Sequence, residues 1–232
     1  MYKRIFPQLL LIVVSFFLFS TPAFSQESLP DLVRRVKPQV VAIATYDSQG
    51  EALMTGSGFF LRTGQVVTNL HVIRGAQRCE IKTLDGKGKV FPVAGTLAVD
   101  EEGDLALLSV DMPPDRPRAS ELARVLPDEG EQIVVIGNPL KLEGSVTDGI
   151  VSAVREVPNV GKIIQITAPI SHGNSGSPVF NMKGQVVGVV TVKVTNGQNI
   201  NLAIGAARVE QLNPGQLRSI ASLPAKERLG DV

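Results

Sequence analysis

From Val40 to Ala207 the chain is cut into short apolar runs by turn signals, among them Asp47-Ser48-Gln49-Gly50, Asp85-Gly86, Lys183-Gly184 and Thr195-Asn196-Gly197. Strand-length runs closed off by Gly, Asn and Asp predict an all-β fold, and their spacing favours a barrel or sandwich. Proline-rich Asp111-Met112-Pro113-Pro114-Asp115-Arg116-Pro117 makes a natural crossing between two such units. The break predicts a first barrel over about residues 36–112 and a second over about 125–207. Past Ala207 the pattern turns helical, with Val209, Leu212 and Leu217 apolar, which predicts a short C-terminal helix over about 207–222.

A chain of 232 residues has ample interior to bury, and it must hold that interior by packing, because Cys79 is its sole cysteine. Cys79 alternates with Ile81 in Arg78-Cys79-Glu80-Ile81-Lys82, the pattern of an inward-facing apolar side chain on a strand. One cysteine and two distant histidines, His71 and His172, form no ligand cluster, so neither a metal nor another cofactor is expected. Residues 1–25 carry Lys3 and Arg4, an apolar stretch from Leu9 to Phe19, and then Ala23-Phe24-Ser25. That is the form of a cleavable signal peptide, too short for a stable membrane anchor, with cleavage expected after Ser25 and a periplasmic or secreted destination. The formal net charge is only +1, and loss of Lys3 and Arg4 with the leader brings it lower, so nothing recruits nucleic acid by charge.

The run Gly173-Asn174-Ser175-Gly176-Ser177-Pro178 places a serine among small residues just before an apolar strand, a setting that presents a hydroxyl. A serine nucleophile needs a base, a group that orients the base, and donors for the oxyanion that forms. His71, at the end of Val66-Val67-Thr68-Asn69-Leu70, is the leading base. Asp104 opens the apolar run Leu105-Ala106-Leu107-Leu108 and is the best-placed orienting carboxylate. The order His71, Asp104, Ser175 is that of the chymotrypsin type. An α/β-hydrolase needs a histidine after the serine, and none follows Ser175. A subtilisin order would call on Asp31 or Asp47, neither of which opens a recognisable apolar strand.

These residues resemble the trypsin-like serine peptidases, and within them the disulfide-free bacterial HtrA (Deg) branch. The similarity runs through Asp31-Leu32-Val33, Gly56-Ser57-Gly58-Phe59-Phe60, Val67 to Val72, Asp104 to Leu108, Ile136-Gly137-Asn138-Pro139, Ser145 to Ser152, and Gly173 to Pro178. The resemblance implies two antiparallel six-stranded β-barrels with the site in the cleft between them. It implies an endopeptidase acting on polypeptide substrates, with Gly173 and Ser175 supplying the backbone N–H donors of an oxyanion hole. It also implies a primary pocket walled by Ile170 and His172, closed by Leu202, and a strand Thr191-Val192-Lys193 that pairs with substrate. Ile170 and Leu202 suit small aliphatic side chains. Pro169 stands six positions before Ser175, where trypsins carry an acid, so cleavage after Lys or Arg is not expected.

Two departures from the HtrA pattern stand out. The residues after Ala207 are too few for the PDZ module that follows the protease in that group, and a monomer is the expectation for this chain. His172 replaces the proline usual there, and beside Lys193 it either forms a positive rim favouring acidic residues or is, like Lys193, a solvated rim residue with no bearing on specificity. The same residues are compatible with a second function class, a catalytically silent or latent peptide-binding, chaperone-like module that keeps the fold.

Overall fold

The computed structural model describes residues 27–113, 119–138, 144–191 and 201–225. The leader at 1–25, the centre of the proline-rich crossing, Val192, Lys193 and the Thr195-Asn196-Gly197 turn lie outside the described residues. Among the described residues no helix is long and apolar enough to cross a membrane.

The first barrel comprises β1 (Val40–Tyr46), β2 (Ala52–Arg62), β3 (Gln65–Asn69), β4 (Arg78–Thr83), β5 (Val90–Asp100) and β6 (Leu105–Val110). They close in the order β1-β2-β3-β6-β5-β4, with β4 returning to β1 through the Ile43–Ile81 and Thr45–Cys79 pairs. Alternation along β1 sends Val41 and Ile43 into the barrel with Phe60, Val66, Ile81 and Leu108. Val40 and Ala42 face the other way, with Phe59, Val67, Leu105 and Leu107. Both faces are buried because the second face meets the second barrel, which is why β1 and β6 read as nearly unbroken apolar runs. Cys79 sits on β4 at 1% exposure, and burial pushes its thiol up to about 12, leaving it an inert apolar side chain.

The second barrel is built from β8 (Gln132–Gly137), β9 (Ser145–Val157), β10 (Gly161–Ile166), β11 (Pro178–Asn181), β12 (Gln185–Thr191) and β13 (Asn201–Gly205). Their order is β11-β8-β9-β10-β13-β12, closed by the β11–β12 hairpin, and the two-residue β7 (Glu121–Leu122) adds in parallel to β12. Asn181 makes the hairpin turn at Lys183-Gly184, its Oδ1 accepting the Lys183 and Gln185 N–H groups at 3.0 and 2.9 Å. The architecture is two six-stranded antiparallel β-barrels, as the resemblance implies. Between them lies a shared apolar layer in which Phe59, Val67 and Leu107 of the first barrel meet Val134, Ile136, Phe180 and Val189 of the second. Burial of that layer is the main force holding the two halves in register.

Two elements at the chain's ends tighten this docking. The helix α1 (Leu29–Val36) was not expected from the strand-and-turn pattern. Ser28 caps it, accepting the Asp31 N–H at 3.4 Å, Pro30 lies in its first turn, and Leu32 and Val36 are fully buried in the inter-barrel layer. The Leu29, Leu32, Val33, Val36 spacing behind a capping serine carried that signal.

The expected C-terminal helix over about 207–222 is corrected. A second helix, α2 (Leu70–Ile73), lies in the first barrel, and the C-terminal one, α3, covers only Ala206–Glu210. Pro214 and Gly215 stop it, and the chain runs on as an extended strap across the first barrel. The Gly215 N–H donates to the Leu97 carbonyl at 2.8 Å, and Thr96 and Arg218 exchange backbone bonds at 2.8 and 2.9 Å. Gly95 permits the approach, since a Cβ there would lie 2.3 Å from the Arg218 carbonyl oxygen. Ile220 then buries itself in the first barrel.

Arg208 on α3 joins the two halves by charge. Its guanidinium pairs with Asp100 at the end of β5, at 2.6 Å from Nη2 to Oδ1, and donates to the Asn159 carbonyl of the β9–β10 hairpin at 2.8 Å. The guanidinium holds the Asp100 carboxyl below its ordinary value of 3.8. A depressed carboxyl stabilises the fold above its unfolded-state value and loses that contribution as pH falls through the folded one. The Arg208→Gln variant is therefore expected to melt below wild type at neutral pH. The gap should close as pH falls through 3.8 and below, as thermal melts across pH will read.

Candidate active site

β3 ends at Asn69 and the chain turns into the single-turn helix α2, which carries His71 at the edge of the inter-barrel cleft. The residues that follow, Val72 and Ile73, are fully buried and anchor that turn in the first barrel. Asp104 stands immediately before β6, with a left-handed φ of 53° that costs a non-glycine residue. Its backbone carbonyl accepts the Leu70 N–H at 3.0 Å and the Asn69 side-chain amide at 2.9 Å, which offsets the strain.

The Asp104 carboxylate is divided between two tasks on His71. Oδ1 accepts the His71 backbone N–H at 3.0 Å, and Oδ2 lies 2.6 Å from the ring Nδ1. A carboxylate in that position holds the proton on Nδ1 and leaves Nε2 with its lone pair free. Thr191 of β12 donates its hydroxyl to the same Oδ2 at 3.3 Å. The sequence reading gives Thr191 only a substrate-pairing role; its side chain is buried against Asp104, a contact across the two barrels that no local pattern announces.

Ser175 lies in a tight turn leading into β11. The Asn174 N–H donates to the Ser171 carbonyl at 3.0 Å and the Ser177 N–H to the Asn174 carbonyl at 2.9 Å. Gly173 and Gly176 take φ values of 96° and 84°. A side chain at Gly176 would be strained and would also collide, since its Cβ would lie 2.2 Å from the Ser57 carbonyl oxygen. Among the described residues, neither the Gly173 nor the Ser175 N–H has an acceptor within the protein. The hydrogen bonds of the described residues do not include one from Ser175 Oγ to His71, a contact that commonly tightens only when substrate binds.

Of the expected pocket residues, Ile170 and Leu202 are half-buried and His172 is exposed. The Asn201 side-chain amide donates to the Ala168 carbonyl at 2.8 Å, tying β13 to the segment that leads into the turn. Val192 and Lys193 lie outside the described residues, and the positive rim depends on the second of them. Among the described residues no group of three or more His, Cys, Asp or Glu side chains could hold a metal ion.

Residues 56–189 match the family model described as a trypsin-like peptidase domain. The chain is similar to the serine protease HTRA1A of Danio rerio, 34% identical over 199 residues that make up 78% of this chain and 40% of that protein. It is also similar to a probable periplasmic serine endoprotease DegP-like of Hahella chejuensis, 38% identical over 177 residues, 72% of this chain and 34% of the relative. The crystal structure of a serine endoprotease from Yersinia pestis superposes with a TM-score of 0.69 at 28% identity, covering 81% of this chain and 65% of that one. The chain thus spans well under half the length of these curated relatives. With a family match over more than half its residues, and with HtrA- and DegP-like serine proteases among its homologues, the chain belongs to the trypsin-like peptidase domain family.

Proposed function

We propose that this protein is a serine endopeptidase that cleaves exposed or unfolded polypeptide segments through Ser175, His71 and Asp104. The observation that carries the reading is the divided grip of Asp104 on His71, with one oxygen on the backbone N–H and the other 2.6 Å from Nδ1. That grip fixes the imidazole as a base at Nε2. Ser175 Oγ attacks the scissile carbonyl as His71 takes its proton, and the C–O bond to the enzyme forms as the carbonyl electrons move onto oxygen. The Gly173 and Ser175 N–H groups receive that oxyanion; one such donor is worth about 3–4 kcal/mol of barrier. His71 then returns its proton to the leaving amine, and water repeats the sequence on the acyl-enzyme. By the resemblance to the HtrA branch, Thr191-Val192-Lys193 would pair with an extended substrate as an added strand.

A half-buried Ile170 and Leu202 support a preference for small aliphatic residues at the cleaved bond. The signal-like residues 1–25 and the similarity to a probable periplasmic serine endoprotease support a periplasmic or secreted location. Incubation with unfolded casein and mapping of the cut sites by mass spectrometry tests the activity. Cuts clustered after Val, Ala or Ile are expected; intact casein would leave a peptide-binding module as the reading of this fold.

A further inference from the structure

Ser57 lies in Gly56-Ser57-Gly58, a motif the proposed chemistry does not use, yet its hydroxyl and its N–H are both committed to the turn around Ser175. It is fully buried on β2 of the first barrel. Its Oγ accepts the Asn138 backbone N–H at 2.9 Å, and since an N–H can only donate, the hydroxyl proton must go elsewhere. It goes to the Gly173 carbonyl, 2.7 Å away. The Ser57 N–H donates to the Ser175 carbonyl at 2.8 Å, and the Ser57 carbonyl accepts the Thr68 hydroxyl at 2.7 Å.

These bonds fall on alternate peptide units of the turn. The unit joining Gly173 to Asn174 is held by its carbonyl to Ser57 Oγ and by its N–H to the Ser171 carbonyl. The unit joining Ser175 to Gly176 is held by its carbonyl to the Ser57 N–H and by its N–H to the Val190 carbonyl, at 3.0 Å. With those two planes pinned at both ends, the N–H groups from Gly173 to Ser177 left without a partner among the described residues are those of Gly173 and Ser175. Glycines let the strands come this close. A Cβ at Gly56 would lie 3.2 Å from the Ser175 carbonyl oxygen, and one at Gly137 would lie 3.1 Å from Ser57 Oγ.

We infer that Ser57 is a positioning residue for the oxyanion hole. Its hydroxyl, supplied by the first barrel, fixes the Gly173–Asn174 peptide so that donors belonging to the second barrel point at the developing oxyanion. The inference rests on the proposed peptidase activity. Without the hydroxyl the Gly173 carbonyl loses its anchor, the plane is held only through the Asn174 N–H bond to the Ser171 carbonyl, and the Asn138 N–H loses its acceptor.

The test compares wild type with Ser57→Ala and the near-isosteric, weakly donating Ser57→Cys, on a peptide spanning a mapped casein cut site. A peptide boronic acid, whose tetrahedral oxygen occupies the oxyanion position, is titrated in parallel. Ser57→Ala is expected to lower kcat by about 100-fold, the cost of a small displacement of catalytic groups. Boronate affinity should weaken in step and KM stay within about twofold, since the interaction acts in the transition state. Ser57→Cys should fall between the two. Folding is followed by thermal melts. If Ser57→Ala is unfolded at the assay temperature, Ser57→Cys decides, and wild-type kcat and boronate affinity in a folded variant overturn the inference. Unfolding of both variants assigns Ser57 to stability and overturns it equally. A wild-type protein that hydrolyses nothing would instead remove the peptidase reading itself.

Discussion

Replacing Ser175 with alanine is expected to lower kcat by about a million-fold while leaving peptide affinity within a few-fold of wild type. The serine supplies the atom that forms the acyl bond, so its loss removes the reaction path and leaves only whatever water can do in the same cleft. Affinity should survive because the turn around residue 175 is held by backbone groups. Its carbonyl accepts the Ser57 N–H, the Gly176 N–H donates to the Val190 carbonyl of β12, and the Val190 N–H donates to the Ser177 carbonyl. Alanine keeps all of these. Residual kcat and a fluorescence-based Kd for a casein-derived peptide measure the two quantities separately. Wild-type turnover in the variant would place the chemistry elsewhere.

The Asp104→Asn variant should lose about 10⁴-fold in kcat and keep its fold. Asparagine tolerates the left-handed backbone at this position better than almost any other residue, and the Asp104 carbonyl that holds Leu70 and Asn69 is untouched. The amide oxygen can still accept the His71 N–H. Its NH2 group then faces Nδ1, which must accept rather than donate, so the ring proton moves to Nε2 and the base is lost. Alanine would give a less clean result, because it adds backbone strain and removes both partner atoms, whereas in asparagine the Thr191 hydroxyl can turn to accept from the NH2 group. Steady-state kinetics with a melt on the same sample separate the tautomer effect from instability; kcat within tenfold of wild type would remove Asp104 from the mechanism.

Much of the architecture was legible because the barrel strands are short apolar runs or alternations closed off by local turn signals. β1, β4 and the β11–β12 hairpin follow from Val40-Val41-Ala42-Ile43, Cys79-Glu80-Ile81 and the Lys183-Gly184 turn, all local signals. The nearness of His71 and Asp104 was legible in chain order and in the apolar runs beside them. What the sequence left hidden is set by contacts between segments far apart in the chain. The strap over β5 depends on Gly95 making room for the Arg218 carbonyl, and a helical spacing of Val209, Leu212 and Leu217 gave no hint that Pro214 would win. Thr191 read only as part of a substrate-pairing strand, and Ser57 only as part of the Gly56-Ser57-Gly58-Phe59-Phe60 run. Their roles come from what the opposite barrel sets against them, Asp104 in one case and the Gly173 and Ser175 carbonyls in the other.

The most direct test of the central claim is reaction of the purified protein with a fluorophosphonate, read by intact mass and peptide mapping. The account predicts a single adduct per chain on Ser175, formed at wild-type rate only when His71 and Asp104 are intact. No adduct, or an adduct on another residue, would contradict it.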